Sequence, residues 1–252
     1  MPQGTHDALE DPRNEDILIY VNGDLTPRNE AKISVFDSGF LIGDGVWEGL
    51  RLHNGKFVFL DEHLDRLFQG AKAIALDIGL TRPELIDALQ HTVNANQMQS
   101  DVHARLMVTR GVKKTPSQDP RLTIGDPTIV IIAEYKRANP TTADTGISLF
   151  TSTVRRGSPD YLDPRLNCHS KLHEVIALKQ ALMAGADEAL MLDIHGFVST
   201  CNATNFFMVK FGEVWTSTGQ YCMNGITRGK VIELCLENNI PVYQYLRQKV
   251  EG

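Results

Sequence analysis

Asn54-Gly55 stands between two strand-like runs, VWEGLRLH and KFVFL. An Asn-Gly pair accepts the positive φ angles of a two-residue hairpin turn, so these runs are expected to pair antiparallel. ILIYVNGDL is a short strand entering an Asn-Gly turn, and EALMLDIHGFV and NFFMVKFGEVW each read as strand, tight turn, strand. Helical patterns intervene. DEHLDRLFQGAKAIAL places Leu64, Leu67, Phe68, Ala71 and Ala75 on one stripe. Thr81 and Glu84 have capping-box spacing, with Pro83 inside the first turn. Strands and helices mix without regular βαβ alternation, which favours an α+β fold over a doubly wound sheet.

Two further strands, VHARLMVTR and PTIVIIAEY, close the first half. The polar stretch KRANPTTADT, residues 136–145, is the best linker candidate. It divides the chain into an N-terminal arm (1–16), an N-terminal domain (17–135) and a C-terminal domain (146–252), which 252 residues can support. The second half opens with GISLFTSTV. NCHSKLHEVIALKQALMAG then reads as a strand entering a helix stopped by Gly185. A last helix, TRGKVIELCLENN, carries Val231, Ile232, Leu234 and Cys235 before Pro241.

A net charge of −6 gives no general electrostatic reason to bind nucleic acid or an anionic membrane. The best apolar run, TIVIIA, is strand-sized. Cys168, Cys201, Cys222 and Cys235 are widely spaced, without a CxxC pair, and no HExxH occurs, so neither a disulfide framework nor a metal site is expected. The acidic, polar start MPQGTHDALEDPRNED is unlike a secretory signal. A reduced, cytoplasmic protein is the expectation.

Several residues invite a chemical reading. The glycines of GDGVWEG miss the GxGxxG spacing and precede a hairpin, so they read as turn glycines ahead of a strand starting at Trp47 and Glu48. In VHARLMVTR, Val102, Ala104, Leu106 and Val108 share an apolar face; His103, Arg105, Met107 and Thr109 share the other, either solvated or the wall of a site. NGITRG puts Ile226 and Thr227 at a helix start, as a plain threonine cap or an anion site. Arg66 points away from its helix's apolar stripe, to be solvated or to meet an anion. Lys171, flanked by His169 and His173 at strand-like spacing, is either a surface lysine or a Schiff-base lysine in a partly desolvated site.

FDSGFLIGDGVWEGLRLHNGKFVFLDEHLDRL, the Lys171 segment, GADEALMLDIHGFV, NATNFFMV and NGITRGKVIEL follow one another in an order that resembles the class IV (fold-type IV) pyridoxal-phosphate aminotransferases. That family includes the branched-chain and D-amino-acid aminotransferases, and the resemblance spans the chain after the N-terminal arm. It implies a smaller N-terminal α/β sandwich, a larger C-terminal pseudo-barrel domain, pyridoxal 5′-phosphate in the cleft between them, and a homodimer. By the same resemblance Lys171 matches the lysine that holds the cofactor and shuttles the proton, and Arg66 matches the arginine on its phosphate. Ile226 and Thr227 match the helix start that completes the phosphate cup, and Asn205 matches the family's asparagine. Trp47 and Phe36 are assigned to the substrate pocket. Arg105 matches an arginine that meets a substrate carboxylate in the branched-chain subgroup. Where the D-amino-acid subgroup carries an Arg and a His, VKKTPSQ offers Thr115 and Ser117.

Two features depart from the pattern. GFVST places Thr200 where the family's G-x-x-x-E has a glutamate paired with the cofactor's ring nitrogen. A hydroxyl supplies no counter-charge, so the cofactor is expected to be a poorer electron sink. The chain ends at QYLRQKVEG, where relatives continue to a Gly-Thr motif with a second phosphate contact. Either that tail lies outside the given sequence or phosphate binding is curtailed. The implied function is amino-group transfer from an amino acid or amine to a 2-oxo acid, slow or atypical because of Thr200. The alternatives are a lyase, deaminase or racemase on the same scaffold, and a degenerate cofactor-binding paralogue.

Overall fold

The computed structural model describes residues 4–6 and 8–244. It divides into two compact units: Ala8–Arg137 with Asn167–Ser170, and Ala138–Leu166 with Lys171 onward and the start of the chain. Of the expected N-terminal arm, Leu9 donates to Arg137 O (3.1 Å), and the Asn14 amide exchanges hydrogen bonds with Tyr135 O and N, each 2.8 Å. The choice between a tail outside the given sequence and a curtailed phosphate site concerns the chain beyond Gln244, outside the described residues.

In the first unit β1 (Leu18–Val21) and β2 (Asp24–Pro27) form a hairpin across Asn22 and Gly23, both at positive φ. Then comes α1 (Ser38–Ile42), which the sequence reading passed over although its signals are present. Asp37 caps it by accepting from Gly39 N at 2.8 Å, and Gly43 ends it in the left-handed conformation. β3 (Gly45–His53) turns at Asn54-Gly55 into β4 (Lys56–Phe57), as the hairpin signal requires. α2 (Leu60–Ala73), α3 (Arg82–Ala95), β5 (Val102–Thr109) and β6 (Thr128–Tyr135) complete the unit.

The six strands form one antiparallel sheet in the order β2-β1-β6-β5-β3-β4. Its core face carries Val102, Ala104, Leu106 and Val108, all at 0% exposure, in one cluster with Leu64, Leu67 and Ala71 of α2 and Leu85 and Leu89 of α3. The period-two pattern of β5 therefore fixes which face is buried. α2 stops earlier than its apolar stripe suggests: Ala75 lies beyond the helix, exposed and at φ 49°. The Thr81–Glu84 capping box is formed, with Thr81 N donating to Glu84 Oε2 at 2.7 Å.

In the second unit α4 (Thr141–Thr145) lies within the polar stretch, followed by β7 (Leu149–Thr151), α5 (Leu172–Met183), β8 (Glu188–Leu192) and β9 (Val198–Cys201). β10 (Phe207–Lys210), β11 (Glu213–Thr216), α6 (Ile226–Glu237) and β12 (Val242–Gln244) come next. The hairpins β8-β9 and β10-β11 match the expected strand-turn-strand segments. Each is extended by a parallel neighbour reached through a helix, β7 beside β8 and β12 beside β11. These crossovers were not anticipated, because three-residue strands carry too little periodicity to read. The strand expected ahead of Lys171 is not formed. Asn167–Ser170 make one bridge, Val46 to Cys168, before the chain enters α5. Among the described residues no helix is long and apolar enough to cross a membrane.

Candidate active site

In the first unit the alternation that buries Val46, Leu50 and Leu52 of β3 also buries Glu48, at 0% exposure. Burial disfavours its charge, and α2 supplies the answer. Arg66 Nε and Nη2 donate to Glu48 Oε1 and Oε2 at 2.7 and 2.6 Å, and His63 Nδ1 lies 2.7 Å from Oε2. Desolvation pushes the Glu48 carboxyl up, but the bonds from Arg66 and His63 together outweigh it and hold it below the ordinary carboxylate value. Arg66 is thus not a solvated side chain off the helix's stripe. It is a guanidinium fixed by a bidentate pair.

The opposite face of the same sheet assembles two of the expected pocket residues. Arg105 stacks over Trp47, its Cζ 4.0 Å from the ring centroid, and Trp47 Nε1 donates to Cys168 O at 3.1 Å. Asn167 Nδ2 donates to Trp47 O at 2.7 Å, so the returning segment 167–170 helps seat the indole's strand. Gly49, opposite Arg105 in the sheet, leaves room for His103, whose Nε2 would lie 2.7 Å from a Cβ there. Phe36 is exposed in the loop before α1 and is placed by its backbone, its carbonyl accepting from Lys113 N at 2.9 Å.

In the second unit Lys171 is the residue immediately before α5, its side chain 31% exposed and its Nζ 3.6 Å from Glu174 Oε1. The same oxygen accepts from Arg156 Nη1 at 2.7 Å. His173 Nδ1 is 3.2 Å from Glu174 Oε2 but makes no hydrogen bond with it. Desolvation, with Arg156 and Lys171 adding to it against Glu174, depresses the His173 imidazole below its usual value. His169, expected to flank Lys171, instead lies 3.2 Å by its Nε2 from Val46 O within the first unit.

Thr200 is buried on β9 and donates its one hydroxyl proton to Thr204 O at 2.7 Å. Towards any other group it can therefore only accept. Asn205 Nδ2 donates to Met223 O at 2.9 Å, which ties the loop ahead of α6. Gly225 begins that helix with no side-chain cap, and a Cβ there would collide with Asn205 Oδ1. Ile226 and the exposed Thr227 follow in the first turn, whose N–H groups have no partner within the helix. Burial, with Glu188 nearby, raises the Cys201 thiol to about 11, too high for a ready nucleophile. Among the described residues no group of three or more His, Cys, Asp or Glu is placed to hold a metal ion.

Residues 45–245 match the family model described as amino-transferase class IV. The chain belongs to that family. It is 43% identical over 234 residues to the branched-chain-amino-acid aminotransferase-like protein 2 of Arabidopsis thaliana, covering 92% of this chain and 41% of the relative. It is 42% identical over 227 residues to a putative branched-chain-amino-acid aminotransferase of Methanocaldococcus jannaschii, covering 90% of this chain and 77% of the relative. This class IV chain thus spans about two fifths of the plant relative's length. A solved T.th. branched-chain amino acid aminotransferase complexed with N-(5′-phosphopyridoxyl)-L-glutamate superposes with a TM-score of 0.82 at 27% identity, covering 91% of this chain and 76% of that one. These neighbours establish the α+β, fold-type IV architecture.

Sequence reading named Arg66 and Lys171 but missed the carboxylates that hold them. Glu48 carried a signal, a lone charge on the apolar face of an alternating strand. Glu174 carried another, since it falls on the helical stripe of Ala177 and Ala181. Nothing local pointed to Arg156.

Proposed function

We propose that this chain transfers an amino group between an amino acid or amine and a 2-oxo acid, with pyridoxal 5′-phosphate as its cofactor. The observation that carries the reading is a partly exposed lysine at a helix start, ion-paired to a buried glutamate. The donor set suits a phosphorylated aldehyde. Within the second unit Lys171 offers the amine for the carbonyl carbon and the uncapped first turn of α6 at Ile226 and Thr227 offers donors to the phosphate. Family resemblance assigns Arg66 of the first unit to that phosphate as well. The cofactor supplies an electron sink for a carbanion at the substrate Cα. Lys171 takes and returns the proton at its Nζ, as a general base held in place. Asn205 braces the phosphate-binding helix start through Met223 O. Trp47 and Arg105 orient the substrate, the arginine towards a carboxylate and the indole as a wall, and family resemblance adds Phe36 to that pocket. The reading includes a homodimer by family resemblance, and a cytoplasmic location supported by four free thiols.

Thr200 gives the reaction its particular character in this proposal. Its proton is committed to Thr204 O, so it can accept from a charged ring nitrogen but brings no negative charge to keep that nitrogen charged. Transamination is expected to be slow or narrow in scope. The test is an amino-donor panel with pyruvate and 2-oxoglutarate as acceptors, run on the parent, Lys171→Ala and Thr200→Glu. Amine transfer that vanishes in Lys171→Ala and accelerates in Thr200→Glu is the expected result. Elimination or deamination products in place of a new amino acid would move the assignment to a lyase or deaminase.

A further inference from the structure

One oxygen of Glu174 lies between two cations, 2.7 Å from Arg156 Nη1 and 3.6 Å from Lys171 Nζ. Arg156 is only 4% exposed and is itself held, its Nε donating to Tyr221 O at 3.2 Å. The carboxylate is therefore pinned from the arginine side, while its approach to Lys171 is an ion-pair distance rather than a hydrogen bond. Its other oxygen, Oε2, is buried and accepts no hydrogen bond. A buried carboxylate oxygen without a donor is costly, and Lys171, three residues earlier on the same helical turn, has three N–H donors to give. The charged groups facing this carboxylate are Arg156, Lys171 and His173, and the depressed imidazole of His173 leaves the two cations as its partners near neutral pH.

We propose that Glu174, pinned by Arg156, is a positioning residue that tethers the Lys171 ammonium at the first turn of α5 whenever that amine is not covalently engaged. A lysine released into solvent would sample many rotamers. One held by a pinned carboxylate stays within reach for the next proton transfer, which saves ordering entropy. The loose 3.6 Å separation suits a side chain that must leave and return. This inference rests on the reading of Lys171 as the reactive lysine.

The experiment uses the full chain freed of cofactor. Lys171 is acetylated at pH 8 under limiting reagent, and its rate is read by mass spectrometry against the chain's other lysines. In Glu174→Gln the counter-charge is gone and Arg156 alone faces the amine, so Lys171 should react about tenfold faster while the other lysines are unchanged. Glu174→Asp keeps the charge one methylene shorter and should restore most of the parent rate. Should the glutamine variant fail to fold, the aspartate variant alone must still show a rise of about twofold or more in Lys171 reactivity. Lys171 reactivity that stays at the parent value in the folded variants, or changes together with every other lysine, would overturn the tether. In the loaded chain the expected companion is a fall in kcat with KM held. The visible absorbance of chain and pyridoxal phosphate, lost in Lys171→Ala, tests the underlying reading separately. If that absorbance survives in Lys171→Ala, the reading of Lys171 fails whatever the acetylation shows.

Discussion

Glu48 in the first unit and Glu174 in the second are both buried carboxylates serving a cation that the sequence had singled out. They are satisfied to different degrees. Both oxygens of Glu48 are taken, by two nitrogens of Arg66 and one of His63, on a residue with no exposed surface. Glu174 has one oxygen taken by Arg156 and the other without a hydrogen bond, while Lys171 stands off at 3.6 Å. A saturated carboxylate locks its arginine, which suits a group that holds a ligand still. A half-satisfied one leaves a place for a lysine that moves. Helix starts follow the same contrast. Thr81 and Glu84 close the start of α3 reciprocally, whereas α6 begins at Gly225 without a side-chain cap and α5 begins at Lys171 without one.

The sharpest way to break this contrast is Glu48→Ala. It leaves Arg66 and His63 without their buried partner and should cost about 3–5 kcal/mol, read from denaturant unfolding. A cost under about 1 kcal/mol would mean that Arg66 is not locked. Gly225→Ala comes next. The added methyl meets Asn205 Oδ1, so a loss of about 1–3 kcal/mol is expected, together with weaker pyridoxal phosphate binding measured by equilibrium dialysis. Last among the stability effects, Thr81→Ala should cost about 1 kcal/mol and leave cofactor binding untouched, because a capped start is structural.

The smallest effects are in pH dependence, and they separate the two sites by window. Glu48 has a lowered folded value, so its contribution is present above its ordinary 4.5 and is lost as pH falls through the folded value. His173 is also lowered. Below its ordinary 6.5 the unfolded chain binds the proton more readily than the folded one, so stability falls as pH drops from there. His173→Gln should flatten the stability profile as pH falls below about 6.5, and Glu48→Gln only below about pH 4.5. Matching slopes in parent and variants would dissolve the distinction between the sites.

Much of the fold was legible. The Asn54-Gly55 and Asn22-Gly23 turns, the buried face of β5 and the box at Thr81 all stand where the local pattern put them. The misses share a cause. α1 is five residues long and β7 and β12 are three each, too short for a periodicity to show. The strand expected before Lys171, where His169 and His173 flank it at strand-like spacing, is instead a segment that bridges β3 at Val46.

By itself the sequence determined the hairpins and the long helices, because turn and cap chemistry acts within a few residues, while the two cations were singled out by family resemblance. Only the tertiary structure decided that Arg66 faces Glu48 and that Glu174, a local neighbour of Lys171, is pinned by Arg156. Glu48 meets Arg66 across 18 positions and Arg156 meets Glu174 across 18. Such pairs form only after a helix or loop has packed on its neighbour and taken both charges out of water. Burial turns two ordinary glutamates into one lock and one tether, and burial is a property of the packed chain.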